Sequence, residues 1–154
     1  MASLDDIDRR LLSELQDEGR ITNVELAQRV GLTAPPCLRR VRALEEDGVI
    51  RGYHAELDPA KLGFSITVFA MVSLKSQAES ALREFEVAMH DLPQVREVHM
   101  LNGEIDFILK IVARDLQAFQ EFLTSQLTPA PNVASVKTSL TIRTSKNQPG
   151  VPME

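Results

Sequence analysis

The sequence predicts an α+β chain in two parts: a three-helix helix-turn-helix unit with a trailing wing strand, then a β-α-β-β-α-β ferredoxin-like (split βαβ) sandwich. Three observations carry this. Apolar residues recur at helical spacing up to about residue 48; "PAKLG" at 59–63 lies between a proline and a glycine and reads as a hinge; beyond Gly63 the apolar period falls to two. The expected divisions are 1–48 for the helices, 49–63 for wing strand and hinge, 64–144 for the sandwich and 145–154 for a flexible tail.

In "DDIDRRLLSELQD", residues 5–17, Ile7, Leu11, Leu12 and Leu15 share one helical spacing, and Asp5, Asp6 and Asp8 fall in the first turn, where the helix dipole favours negative charge. Gly19 stops this helix. Thr22 followed by Glu25 reads as a capping box that opens a second helix, with Val24, Leu26, Ala27 and Val30 as its apolar positions, and Gly31 closes it. A third helix starts at about Ala34 with Thr33 as N-cap. Pro35 and Pro36 fall in its first turn, where amide hydrogens have no internal partner, so they start the helix instead of breaking it. It runs to about Asp47 and ends at Gly48. "VIRGYHAELD", with Val49, Ile50 and Tyr53, reads as a strand or wing.

In "FSITVFAMVSLK" Phe64, Ile66, Val68, Ala70, Val72 and Leu74 share one strand face. "ESALREFEVAMHDL" carries Leu82, Phe85, Met89 and Leu92 on a helical stripe. "VREVHML" and "EIDFILKIVA" are strands joined at Asn102-Gly103, a dipeptide favoured by tight hairpins. "DLQAFQEFLTSQL" repeats a helix pattern with Leu116, Phe119, Leu123 and Leu127, and "ASVKTSLTIR" closes with Val136, Leu140 and Ile142 on one strand face.

Composition narrows the function classes. With 154 residues, 44% hydrophobic and 25% charged, the chain has a globular composition; no apolar run approaches a membrane span and the start lacks a secretory signal pattern, so a cytoplasmic protein with no membrane association is expected. Cys37 is the only cysteine, which excludes an internal disulfide and a cysteine-based zinc cage. His54, His90 and His99 are scattered without metal-ligand spacing, so neither a metal nor a cofactor is expected. There is no glycine-rich phosphate loop and no nucleophile in a recognisable motif, which argues against an enzyme. A net charge of -5 rules out a uniformly basic coat, so any nucleic-acid contact must come from local charge.

Such local charge exists. From Arg20 to Leu44 there are five arginines (Arg20, Arg29, Arg39, Arg40, Arg42) against Glu25 alone, inside a segment 1–63 that has nine basic and twelve acidic residues. At 100° per residue Cys37, Leu38, Val41 and Leu44 cluster on one side of the third helix. The opposite direction falls almost on Arg39, with Arg42 and Arg40 within roughly 65° to 95° of it. Arginine there can fork onto guanine edges or phosphates, and free amides of the first turn would add anion-binding capacity. The bland alternative is a solvated face paired with Glu45 or Glu46. Cys37, in the first turn, is either a thiol activated by the helix N-terminus or a small buried side chain.

"LDDIDRRLLSELQDEGRITNVELAQRVGL", "PPCLRRVRALEEDGVIRGYHAELDPAKLG" and "LNGEIDF" together resemble the feast/famine, or Lrp/AsnC (leucine-responsive regulatory protein), family over about residues 4–143. That resemblance implies transcription regulation by a winged helix-turn-helix that binds double-stranded DNA, and a C-terminal effector-binding and oligomerisation domain. It implies a homodimer formed through the sheets, assembly to an octamer, and an amino acid, leaning leucine or methionine, bound between dimers. It makes Thr33, Ala34, Pro36, Arg39, Arg40 and Arg42 the DNA-facing set, and Asn102, Gly103, Glu104, Ile105 and Asp106 the effector loop. The chemistry fits: an Asn-Gly turn exposes amides that can receive a carboxylate, and Asp106 can take an ammonium. Ile105, where relatives often carry an aromatic, and the added charge of Glu104 depart from the pattern. The rival readings are a small metabolite-binding module or enzyme with merely structural N-terminal helices, a pair Glu104/Asp106 acting as acid and base, and a protein-docking arginine face.

Overall fold

In the computed structural model, which describes residues 4–153, the chain divides into two units: residues up to Glu56 with the tail from Lys146 onward, and Leu57–Ser145. Each is described by itself.

The first unit holds α1 (Asp6–Asp17), α2 (Asn23–Val30) and α3 (Ala34–Glu46). Asp5 caps α1 through a reciprocal pair: its carboxylate accepts the Asp8 N–H at 2.8 Å while Asp8 accepts the Asp5 N–H at 3.2 Å. Thr22 caps α2 by accepting the Glu25 N–H at 3.2 Å, but the return bond of the expected box is absent because the Glu25 carboxylate goes to Arg29 instead. Leu11, Leu26, Ala27, Val30, Cys37 and Val41 bury one another, with Ile7, Leu15, Ile21, Leu32 and Ile50 packed around them. Full burial of such side chains contributes about 1.5–3 kcal/mol each for the larger ones.

One expectation fails in this unit. Residues 49–57 form no strand: Val49 and Ile50 donate to the Leu44 carbonyl as a continuation of the α3 terminus, and among the described residues no segment offers the following residues a ladder. The tail from Lys146 lies against α1, where the Gln16 side chain bonds both backbone groups of Val151.

The second unit runs β1 (Ile66–Leu74), α4 (Glu79–His90), β2 (Val95–Met100), β3 (Phe107–Ala113), α5 (Leu116–Phe122) and β4 (Val133–Leu140). The sheet order is β2-β3-β1-β4, all antiparallel, so β3 splits the β1-α4-β2 unit as the split βαβ topology requires. The period-two pattern sets the faces. Val68, Ala70, Val72 and Leu74 with Phe107, Leu109, Ile111 and Ala113 are buried under Phe85 and Met89 of α4 and Phe119 and Phe122 of α5. The Phe85 and Phe107 rings meet with centroids 4.8 Å apart. After α5 the chain makes a π-helical turn over Leu123–Leu127, so that Phe122 and Leu127, five apart, both reach the core while Leu116 stays exposed. β4 is an edge strand that ends at Leu140, so Ile142, expected on one strand face with Val136 and Leu140, lies beyond the strand and is 99% exposed.

The hinge expected at 59–63 is a single 3-10 turn, Ala60–Leu62, which Gly63 closes in the left-handed conformation at φ 80°. Among the described residues no helix is long and apolar enough to cross a membrane, and no group of three metal-ligating side chains converges.

Candidate functional site

Two sets of residues carry the chemistry. The first is α3. Gly31, left-handed at φ 76°, ends α2 and turns the chain, and the Asn23 side chain donates to the Ala34 carbonyl at 2.8 Å, fixing where α3 begins. Cys37, Val41 and Leu44 are buried, whereas Leu38, expected with them, is exposed. Without Leu38 the apolar direction rotates, which leaves Arg39 almost opposite it and Arg40 about 110° from the exposed direction on a 3.6-residue helix. The side chains follow. Arg39 and Arg42 are exposed and have no ion-pair partner among the described residues. Arg40 turns to α1, its Nη1 2.8 Å from Asp5 Oδ2 and 2.8 Å from Asp8 Oδ1.

Those contacts move the proton affinities as expected for a tight pair. Asp8 and then Asp5 hold the Arg40 guanidinium above its ordinary pKa, and the Asp8 amide, with Arg40, holds Asp5 below the usual carboxylate value. Arg29 is likewise raised by Glu14, Glu25 and Glu18, all within 3.0 Å of it. The local positive excess is therefore smaller than the sequence count: among the described residues Arg20, Arg39 and Arg42 make no ion pair, whereas Arg29 and Arg40 do. The acids that neutralise Arg40 were missed because they lie more than thirty residues away in the chain; nothing in local spacing signals them.

The first turn of α3 also differs from expectation. Pro35 and Pro36 have no amide hydrogen and Cys37 donates to the Thr33 carbonyl at 3.2 Å, so Ala34 is the one residue of that turn with an N–H left for an anion. Thr33 occupies the N-cap, yet its hydroxyl makes no capping bond. Ala34 and Pro36 are half-buried. Burial pushes the Cys37 thiol up, which favours the reading of a small buried side chain over an activated nucleophile.

The second set is the β2–β3 connection. Neither Asn102 nor Gly103 adopts a positive φ, so the tight hairpin expected there is absent; six residues, 101–106, join the strands instead. Asp106 explains this. It is only 9% exposed, its Oδ2 accepts the Leu74 N–H at 2.7 Å, its Oδ1 accepts from Gln77 Nε2 at 3.1 Å, and its own N–H donates to the Val72 carbonyl at 3.0 Å. The carboxylate expected to meet an ammonium is thus committed inside the chain. Leu101 N–H closes the loop on the Asp106 carbonyl at 2.8 Å. Asn102, Gly103 and Glu104 are exposed and Ile105 is half-buried; the amides of all four donate to no acceptor within the described chain. Gln77, which no motif signalled, belongs to this group.

Residues 67–151 match the Lrp/AsnC ligand binding domain, and residues 4–51 match a winged helix-turn-helix DNA-binding domain. The chain belongs to the Lrp/AsnC family. It is 54% identical over 144 residues to the leucine-responsive regulatory protein of Rhizobium meliloti, an alignment that covers 94% of this chain and 92% of that protein. It is 44% identical over 143 residues to the Bkd operon transcriptional regulator of Pseudomonas aeruginosa, covering 93% and 94% of the two. Among solved structures, a transcriptional regulator from Neisseria meningitidis, crystallised as its L-Met complex, superposes with a TM-score of 0.92 at 34% identity over 97% of each chain. As an Lrp/AsnC protein the chain is a transcriptional regulator with one DNA-binding and one ligand-binding domain, and the enzyme reading falls.

On the sheet face turned away from α4 and α5 lie Phe69 and Met71 of β1 and Ile108 and Val112 of β3, with Lys110 between them. Phe69 is 37% exposed there.

Proposed function

We propose that this regulator reads duplex DNA with the exposed side of α3 and answers to an amino acid held at the 101–106 loop. The observation that carries the DNA half is that Arg39 and Arg42 stand exposed, without an ion pair among the described residues, on the side of α3 opposite buried Cys37, Val41 and Leu44. Arg39 and Arg42 then enter the major groove, where a guanidinium can fork onto a guanine edge or a phosphate. Thr33, with a hydroxyl free of capping duty, and Ala34, with a free amide, face the phosphate backbone alongside Pro36, which fixes the chain's entry. Arg40 positions α3 on α1 and contributes to the local field.

At the loop, the amides of Asn102, Gly103, Glu104 and Ile105 suit a carboxylate. Glu104, exposed and without an ion pair among the described residues, suits the ammonium, while Asp106 holds the loop in shape. The half-buried, apolar Ile105 and the L-Met bound by the Neisseria relative favour leucine or methionine. The apolar sheet face around Phe69 and Met71 supports a homodimer, and dimers assemble further to an octamer in which the loop meets a neighbouring copy. The protein acts in the cytoplasm.

The test is fluorescence anisotropy of the full chain on the DNA upstream of its own gene and on scrambled DNA, at two salt concentrations, with and without leucine and methionine. Selective binding that weakens with salt and shifts with either amino acid supports the reading. Equal, feeble binding to both DNAs overturns it.

A further inference from the structure

The tail is anchored by a pairing that resembles one rung of a β-ladder. Gln16 Nε2 donates to the Val151 carbonyl at 2.9 Å, and the Val151 N–H donates to Gln16 Oε1 at 2.7 Å, so one carboxamide satisfies both backbone groups of a single residue. Gly150 makes this approach possible. It is left-handed at φ 75°, and a Cβ at that position would collide with the Gln16 carboxamide, so glycine is required on both conformational and steric grounds. Asn147 adds a bond from its Nδ2 to Glu56 Oε1 at 3.3 Å. Pro149 and Pro152 flank the anchor and reduce the freedom the tail must lose on docking. Beneath the tail lies a cavity of about 1070 Å³ lined by Leu12 and Leu15 of α1, by Ile50, Tyr53 and His54 of the connector, and by Met153.

We propose that residues 146–153 form a strap that closes over α1 and the connector 49–56. The chain passes between its two units at Glu56–Leu57 and again at Ser145–Lys146. With the strap docked the DNA-binding unit is held by both passages; with it released the unit hangs from one. Two tethers restrict the orientations the unit samples, and a protein that must present several such units to one DNA site binds better when fewer orientations are open. The strap thus sets how firmly the DNA-binding units are presented, and this consequence rests on the DNA-binding reading above.

The experiment uses the full-length protein with Gly150→Val, with Gln16→Ala, and with Gln16→Glu, which keeps the side-chain size but turns a carboxylate on the Val151 carbonyl. Hydrogen exchange read by mass spectrometry follows the peptide containing residues 146–153, and anisotropy follows affinity for the upstream DNA. All three variants are expected to exchange the tail amides at least tenfold faster than wild type and to bind the DNA at least threefold more weakly, with unchanged helical circular dichroism. A wild-type tail that exchanges at the rate of an unprotected peptide, or protection that survives all three substitutions, overturns the strap. Tail protection lost with DNA affinity within twofold of wild type overturns its role in presentation. A protected wild-type tail in a protein that does not select its DNA overturns the DNA-binding reading and leaves the strap in place.

Discussion

The carboxylate of Asp106 accepts the backbone N–H of Leu74 at 2.7 Å, continuing by side chain a ladder whose last backbone pair is Val72 with Phe107. A residue of the candidate effector loop is thereby part of the sheet. Replacing Asp106 with alanine strips the acceptor from a buried N–H and from Gln77, a loss of about 1–3 kcal/mol for an unsatisfied buried donor. Urea unfolding of Asp106→Ala is expected to show that loss, and Asp106→Asn, which keeps one carbonyl oxygen, a smaller one. Unchanged stability in the alanine variant would show that the carboxylate does not close β1. Because this residue mixes structure with any ligand role, Glu104→Gln is the cleaner probe of the effector: it should weaken the amino-acid response and leave the unfolding curve alone.

The arginines of α3 separate by duty. Arg39→Ala is expected to weaken specific DNA binding by about 1–3 kcal/mol and to leave the melting temperature unchanged, since the side chain is exposed and makes no ion pair among the described residues. Arg40→Ala removes the clamp on Asp5 and Asp8 and should lower the melting temperature while weakening specific binding less than Arg39→Ala does. If the two variants exchange these phenotypes, the assignment of Arg39 to the DNA is wrong.

How much of this was legible in the sequence depends on the range of the interaction. The acidic first turn of α1, the glycine closing α2, the core face of β1 and the β-α-β-β-α-β order all follow from residues a few positions apart, and all are present. What local patterning missed is held by long-range bonds. Asn102-Gly103 carries a hairpin signal, but the loop conformation is set by Asp106 bonding across to β1, over thirty residues back. Arg40 reads as a member of an exposed trio until the acids of α1 claim it. Val49 to Leu57 alternates enough to suggest a strand, yet a strand exists only where a partner lies beside it. The tail looks frayed by composition, and its anchor is a glutamine 135 residues away.

Acid should act on the open sheet face. Glu97 of β2 sits 2.9 Å from Lys110 Nζ and 3.1 Å from His99 Nε2, and Lys110 first, then His99, hold its carboxyl below the ordinary glutamate value. A depressed folded-state pKa gives a contribution that is complete above the unfolded value of 4.5 and is lost as pH falls through the lower folded one. Stability of wild type is therefore expected to drop more steeply than that of Glu97→Gln on acidification below that value. Parallel curves for the two proteins would remove Glu97 from the acid response.

Tyr53 offers a titration free of overlap, because the chain has one tyrosine and no tryptophan. Its hydroxyl donates to Glu45 Oε1 at 2.9 Å, and burial first, then Glu45, pushes its pKa from 10.0 up to about 12. A raised folded-state value means the neutral phenol is favoured by the fold, so this contribution is whole below pH 10 and disappears as pH rises through about 12. Near-ultraviolet absorbance of the phenolate should give a native midpoint near 12 and a midpoint near 10.0 in concentrated urea. Glu45→Gln removes the carboxylate but not the burial, so its midpoint is expected between the two. A native midpoint at the unfolded value would mean that Tyr53 and Glu45 do not meet, and that the connector after α3 is not held to that helix in solution.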